Sequence, residues 1–186
     1  MGYWKRIEPF SMTYGRLTLD FGPYTFKKRV VLMLGRNGSG KTTCLKCLAS
    51  LLPADQGVLH YGMQYVAGRF SLPLNLKVRE YLDASLGMAH DTRRICLEKL
   101  VGHFDLALLL DKPLKACSDG MRQRVAIAAA LLHDDMPILL DEPLRSLDDT
   151  YRHRLVEWIM QGRSGFVIAT HEPEAFKTLD PEVVHI

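Results

Sequence analysis

One eight-residue stretch constrains the fold more than any other. Val30-Val31-Leu32-Met33-Leu34 is an almost pure apolar run, and it breaks into Gly35-Arg36-Asn37-Gly38-Ser39-Gly40-Lys41-Thr42. A short apolar run bounded by glycine fits a strand buried on both faces, as in a parallel sheet. From about Lys41 to Leu52 the chain reads as a helix, stopped by Pro53. Strand, glycine-rich loop and helix in that order give G-x-x-x-x-G-K-T in the context a phosphate-binding loop requires. A polyphosphate needs many donors converging on one spot. Glycines let successive backbone N–H groups point inward, and the helix N-terminus adds its positive dipole end. Lys41 supplies a point charge to the β and γ phosphates, and Thr42 offers a hydroxyl to Mg²⁺.

A matching acidic partner stands at Ile138-Leu139-Leu140-Asp141-Glu142. An apolar strand ending in a carboxylate places Asp141 at the carboxyl edge of a sheet, where ligands bind. Asp141 can hold Mg²⁺ through water, and Glu142 is positioned to orient or deprotonate an attacking water. The remaining elements alternate in kind. The first 29 residues, broken at Gly15, Gly22 and Pro23, read as short antiparallel strands. Gly57–Tyr61 and Met63–Ala67 read as two more strands. Val78–Met88 and Thr92–Leu110 read as helices, as do Ser118–His133, with Ser118 as N-cap, and Asp149–Met160. Phe166–Ala169 and Val183–Ile186 complete the strands. Strands alternating with helices predict an α/β parallel sheet.

Composition excludes several classes. Apolar residues make up 47% and charged residues 24%, the mix of a globular chain rather than a disordered or collagen-like one. A net charge of +3 is too small to argue for nucleic acid. No apolar run approaches the roughly 20 residues of a membrane span. The segment Met1–Arg6 lacks the apolar core of a signal peptide. A cytosolic location is therefore expected. Cys44 and Cys47, like Cys96 and Cys117, have no second pair at zinc spacing and read as buried small hydrophobes.

Five segments together resemble a known family. Gly35–Thr42, Ser118-Asp119-Gly120-Met121-Arg122-Gln123-Arg124, Leu139-Leu140-Asp141-Glu142-Pro143, Ser146-Leu147-Asp148 and Ala169-Thr170-His171-Glu172 fall in the order found in ATP-binding-cassette (ABC) ATPases. The resemblance covers nearly the whole chain. It implies a P-loop, RecA-like α/β core with a mostly parallel sheet, an N-terminal antiparallel β subdomain and a small helical insert. Residues 1–186 would form one ABC ATPase domain, with 1–74 and 118–186 as core and 75–117 as the insert ending at the signature motif. The resemblance also implies roles. Residues Gly35, Arg36, Asn37, Gly38, Ser39, Gly40, Lys41, Thr42 and Thr43 would bind ATP, with Thr42 and Asp141 on Mg²⁺. Glu142, Lys41 and His171 would be catalytic. Ser118 and Gly120 would meet the γ-phosphate held by another subunit, and Asp148 would lie at the dimer interface.

The sequence departs from the family's pattern at three places. Counting back from Asn75-Leu76-Lys77-Val78-Arg79-Glu80, the glutamine that the family carries after the strand Met63–Ala67 is expected at Gly68; either it is absent, or the register is shifted and Gln64, four residues earlier, is the residue to weigh. The signature carries Asp119. At an effective dielectric near 20, a charge ~8 Å from a phosphate costs roughly 2 kcal/mol, most of which vanishes if Asp119 faces solvent. The adenine-stacking aromatic is best matched by Tyr14, with Phe10 and Tyr24 as competitors.

The resemblance implies an ATP-binding and ATP-hydrolysing subunit that powers a membrane transporter. Ser118-Asp119-Gly120-Met121 looks exporter-like. The expected partners are an integral membrane permease subunit and a second ATPase domain, in an ATP-dependent head-to-tail homo- or heterodimer. The expected location is cytoplasmic, peripheral to the inner face of the cell membrane. The alternative is a soluble ABC ATPase acting on nucleic acid, the ribosome or an assembly scaffold, or a degenerate cassette with little turnover. Lys27-Lys28-Arg29 and Arg93-Arg94 are short clusters that read as solvated faces, so no nucleic-acid partner is expected.

Overall fold

The computed structural model describes residues 6–14, 17–57, 62–67, 72–87, 90–133 and 136–186. The antiparallel strands expected near the N-terminus are β1 (Arg6–Ile7), β2 (Phe10–Tyr14), β3 (Leu17–Phe21) and β4 (Tyr24–Thr25). They pair as β1 with β4 and β2 with β3. The apolar run forms β5 (Val30–Leu34), followed by α1 (Lys41–Leu48) and β6 (Gln64–Val66). Three helices come next: α2 (Val78–Ala84), α3 (His90–His103) and α4 (Asp119–Leu131). The chain ends through β7 (Ile138–Asp141), α5 (Asp149–Gln161), β8 (Phe166–Ala169) and β9 (Glu182–His185). Of the strand expected at Gly57–Tyr61, residues 58–61 lie outside the described residues, as does Gly68.

Two compact units divide the chain. One comprises Met1–Tyr65, Met136–Glu142 and Ser164–Ile186; the other comprises Val66–Asp135 and Pro143–Arg163. The stretch 75–117 falls wholly in the second unit, together with α4 and α5.

The first unit is built on a five-stranded sheet in the order β6-β7-β8-β5-β9. β5 is parallel to β8 and β9, and β7 is parallel to β8. β7 and β8 are buried at every position, as strands covered on both faces must be. β9, at the edge, alternates half-buried and exposed residues. Val31 and Met33 of β5, with Leu139 and Val167, join Cys44, Leu45, Cys47 and Leu48 of α1 in one apolar cluster. Each fully buried Val, Leu or Met side chain among them contributes about 1.5–3 kcal/mol by leaving water. Cys44 and Cys47 are thus core residues, as expected. Burial pushes the Cys44 thiol well above its ordinary pKa.

Helix α1 ends at Leu48, four residues before the expected limit. Pro53 disfavours helical backbone at the residue before it. The chain turns earlier, with Ser50 left-handed (φ 57°) and the N–H groups of Leu51 and Leu52 returning to the carbonyl of Lys46.

In the second unit α2 and α3 pack on α4. The segment 74–78 pairs with 112–115, through Leu114 N–H to Leu76 O at 2.8 Å and Val78 N–H to Lys112 O at 3.0 Å. The single helix expected over Thr92–Leu110 is interrupted. α3 stops at His103, Asp105 turns left-handed (φ 49°), and Ala107–Leu109 forms a separate 3₁₀ turn. Asp105 is held there by its carboxylate, which accepts from Arg154 Nη1 at 2.6 Å and from the Tyr151 hydroxyl at 3.2 Å.

Candidate functional site

The phosphate-binding loop joins β5 to α1. Gly40 has φ 102°, and a Cβ there would meet Leu19 Cδ1 at 3.0 Å and Phe21 Cζ at 3.2 Å. Only glycine suits both the conformation and the wall. Arg36, Asn37 and Gly38 are exposed at the crest, while Gly35, Ser39 and Thr43 are half-buried. Lys41 is 7% exposed. Its Nζ donates to Gly35 O at 2.8 Å and to Arg36 O at 3.2 Å, which lays the ammonium against the loop. The Ser39 hydroxyl is buried without a hydrogen-bond partner among the described residues. A loop with a buried cation and an unsatisfied hydroxyl fits a polyphosphate anion.

The end of β7 supplies the acidic pair. Asp141 Oδ2 accepts from Thr42 Oγ1 at 2.7 Å and from the Tyr65 hydroxyl at 3.1 Å. Two adjacent hard oxygens beside a phosphate loop fit Mg²⁺, which uses one or two protein ligands and takes the rest from phosphate and water. Tyr65 carries no motif spacing that would mark it in advance; it is simply a strand tyrosine. Burial and the Asp141 carboxylate hold its hydroxyl in the protonated, donating form, well above the ordinary pKa.

Glu142 follows at φ 48°, a left-handed conformation rare for glutamate. Its N–H donates to Ala169 O at 2.9 Å. Its Oε2 accepts from the His171 N–H at 3.3 Å, and its Oε1 lies 3.2 Å from His171 Nε2. That last approach lacks hydrogen-bond geometry, so Oε1 is buried with an open lone pair. Burial raises the Glu142 pKa above the usual carboxylate range, and His171 partly opposes this. A carboxylate raised in this way is a stronger base. Lys41, Thr42, Asp141, Glu142 and His171 all belong to the first unit.

Ser118, Gly120 and Asp148 belong to the second unit. Ser118 caps α4 by accepting from Met121 N–H, and Asp148 caps α5 by accepting from Tyr151 N–H, each at 3.2 Å. A Cβ on Gly120 would stand 2.6 Å from Ser146 O. Gln123, fully buried, donates to Pro143 O at 3.1 Å. Asp119 is 79% exposed and pairs with Arg122.

Of the three aromatics weighed for adenine, Phe10 is removed. It is buried and packs on Phe21, with ring centroids 5.0 Å apart. Tyr24 is half-buried and stacks on Phe26. Tyr14 ends the β2–β3 hairpin, paired through its backbone with Leu17; its side chain lies outside the described residues.

Fold and site define a P-loop nucleotide-binding unit. The family model described as "ABC transporter" matches residues 24–145. The chain is 32% identical over 143 residues to the molybdenum import ATP-binding protein ModC of Bordetella pertussis, covering 66% of this chain and 39% of that protein. It therefore spans about two fifths of the length of the curated relatives it matches. A solved ATP-binding subunit of an ABC transporter superposes with a TM-score of 0.77 at 23% identity, over 87% of this chain and 77% of that one. A dimeric ATP-binding cassette in a post-hydrolysis state, bound to ADP and Pi, gives 0.74 at 21% identity, over 96% and 91%. The chain belongs to the ABC transporter family, and the fold is that of its ATP-binding cassettes. The exporter expectation finds no support, because the matched relative is an import protein. Among the described residues no helix is long and apolar enough to cross a membrane.

Proposed function

We propose that this chain is the ATP-binding and ATP-hydrolysing subunit of a membrane transporter. The observation that carries the reading is the Glu142–His171 pair in the same unit as the Lys41 loop and the Thr42–Asp141 contact. Lys41 exchanges its loop carbonyls for phosphate oxygens when ATP binds. Glu142 takes a proton from water as the water oxygen attacks the γ-phosphorus. The bond to the bridging oxygen breaks, and ADP leaves with that electron pair. Lys41 and His171 offset the charge on the phosphoryl oxygens. Thr42 and Asp141 would hold Mg²⁺, which supplies further charge neutralisation.

Ser118, Gly120 and Asp148 act in trans in this reading, against ATP on a second cassette, and a separate membrane permease receives the motion. The association places the chain at the cytoplasmic face of the membrane. On direction, the matched import protein supports uptake over the export reading of the signature. Phosphate release by the purified chain tests the proposal. The parent should hydrolyse ATP, and Lys41→Ala should neither bind nor hydrolyse it. A parent without turnover, alone or with its permease, would overturn the enzymatic reading.

A further inference from the structure

We propose that Tyr65 is a positioning residue of this site, whose hydroxyl fixes the Asp141 carboxylate beside Thr42 where a divalent cation would be held. The inference rests on the nucleotide reading above. Asp141 ends β7 and is only 6% exposed, so protein donors rather than water set the rotation of its carboxylate. Two donors share Oδ2, and they come from different elements. Thr42 reaches it from the first turn of α1 at 2.7 Å, and Tyr65 from β6 at 3.1 Å. The Tyr65 ring packs against the apolar cluster of the first unit, and β6 is itself anchored by Gln64 N–H to Pro137 O at 2.9 Å. The phenol hydroxyl therefore sits on a rigid support. Thr42 has one proton and must also turn oxygen lone pairs toward a cation. Tyr65 has no such second duty. An outer partner that orients a ligating carboxylate typically changes metal affinity about 10–100-fold.

Tyr65→Phe keeps the ring and removes only the hydroxyl. Binding of ribose-labelled fluorescent ATP is titrated with Mg²⁺ and compared with binding in EDTA, using the whole chain. The Mg²⁺ concentration for half-maximal enhancement should rise about ten-fold, and the ratio of Mg²⁺ to EDTA affinities should fall accordingly. Added to Asp141→Ala, Tyr65→Phe should shift nothing more, because the acceptor of its hydroxyl is gone. An unchanged half-saturation overturns the proposal. So does an equal loss with and without Mg²⁺, or a shift that persists in the Asp141→Ala background. A parent that binds no labelled ATP would sink the nucleotide reading itself, and this inference with it. A parent that responds to Mg²⁺ identically to Tyr65→Phe sinks only the role of Tyr65.

Discussion

Glu142 combines a strained backbone with an open carboxylate oxygen, and both bear on chemistry. A left-handed non-glycine residue costs on the order of 1–3 kcal/mol and persists where its surroundings over-determine it. Here the N–H bond to Ala169 and the His171 contacts do so. Glutamine can keep that shape but cannot accept the proton. Glu142→Gln should therefore bind ATP with nearly parental affinity and lower the hydrolysis rate roughly 10²–10⁴-fold. Single-turnover phosphate release beside equilibrium binding separates the two effects; parental turnover would remove Glu142 from the mechanism. Gly120 makes a different demand. Its helical start lies so close to Ser146 O that Gly120→Ala must push the α4 terminus away, at about 1–3 kcal/mol. A lowered denaturation midpoint would register it. Motif spacing singled out Lys41, Thr42, Asp141 and Glu142 in the sequence, and the structure gathers all four in the first unit, with Thr42 against Asp141. Tyr65 was not legible, since a strand tyrosine reaches Asp141 only through sheet order. Phe10 and Tyr24 read alike in the sequence, and only packing separates buried from half-buried.

Elements followed the sequence where one signal dominated, and failed where two competed. β8 coincides with the expected Phe166–Ala169, a run with no polar residue to shift its ends. α1 and α3 end early because left-handed residues, Ser50 and Asp105, close them before the apolar pattern stops. Neither is glycine, so the usual stop signal is missing. Asp105 joins α3 to α5 through Arg154 and Tyr151, while Arg124 of α4 donates to Phe104 O and lies 4.0 Å over the Tyr151 ring. The Arg154 hydrogen bond foremost, and that of Tyr151 with it, lowers the Asp105 pKa. The sign follows. A depressed folded-state pKa contributes stability above the unfolded value, about 4, and loses it as pH falls through the folded value. Asp105→Asn should lower the urea midpoint at neutral pH, and the gap from the parent should narrow progressively below about pH 4. The effect is modest, because the carboxylate is 54% exposed. A gap independent of pH would assign the loss to helix termination alone.

At the scale of the whole molecule, phosphate-binding and signature elements fall in separate compact units of one chain. Ser118 and Gly120 sit at an α4 terminus whose N–H groups suit an anion, yet Ser118 already serves as that helix's cap. A cap and a ligand group are compatible, because a hydroxyl accepts and donates at once. ATP held by the Lys41 loop of one copy and met by Ser118 and Gly120 of another would add binding energy only in the paired state, and so shift monomer toward dimer. Hydrolysis removes the γ-phosphate and with it that differential. The dimer should therefore accumulate when ATP binds and is not consumed. For Glu142→Gln, light scattering after size exclusion should show the mass doubling with ATP and Mg²⁺, and remaining monomeric with ADP. Lys41→Ala combined with Glu142→Gln should stay monomeric throughout, since the loop no longer holds the nucleotide. Ser118→Arg in the Glu142→Gln background places a bulky side chain at the α4 terminus while leaving the nucleotide loop of each copy intact. It should abolish pairing without abolishing ATP binding. If Ser118→Arg still doubled its mass, the signature would not face the partner's nucleotide. If Glu142→Gln bound ATP but never paired, a second copy of this chain would not be the partner, leaving a different cassette to complete the site.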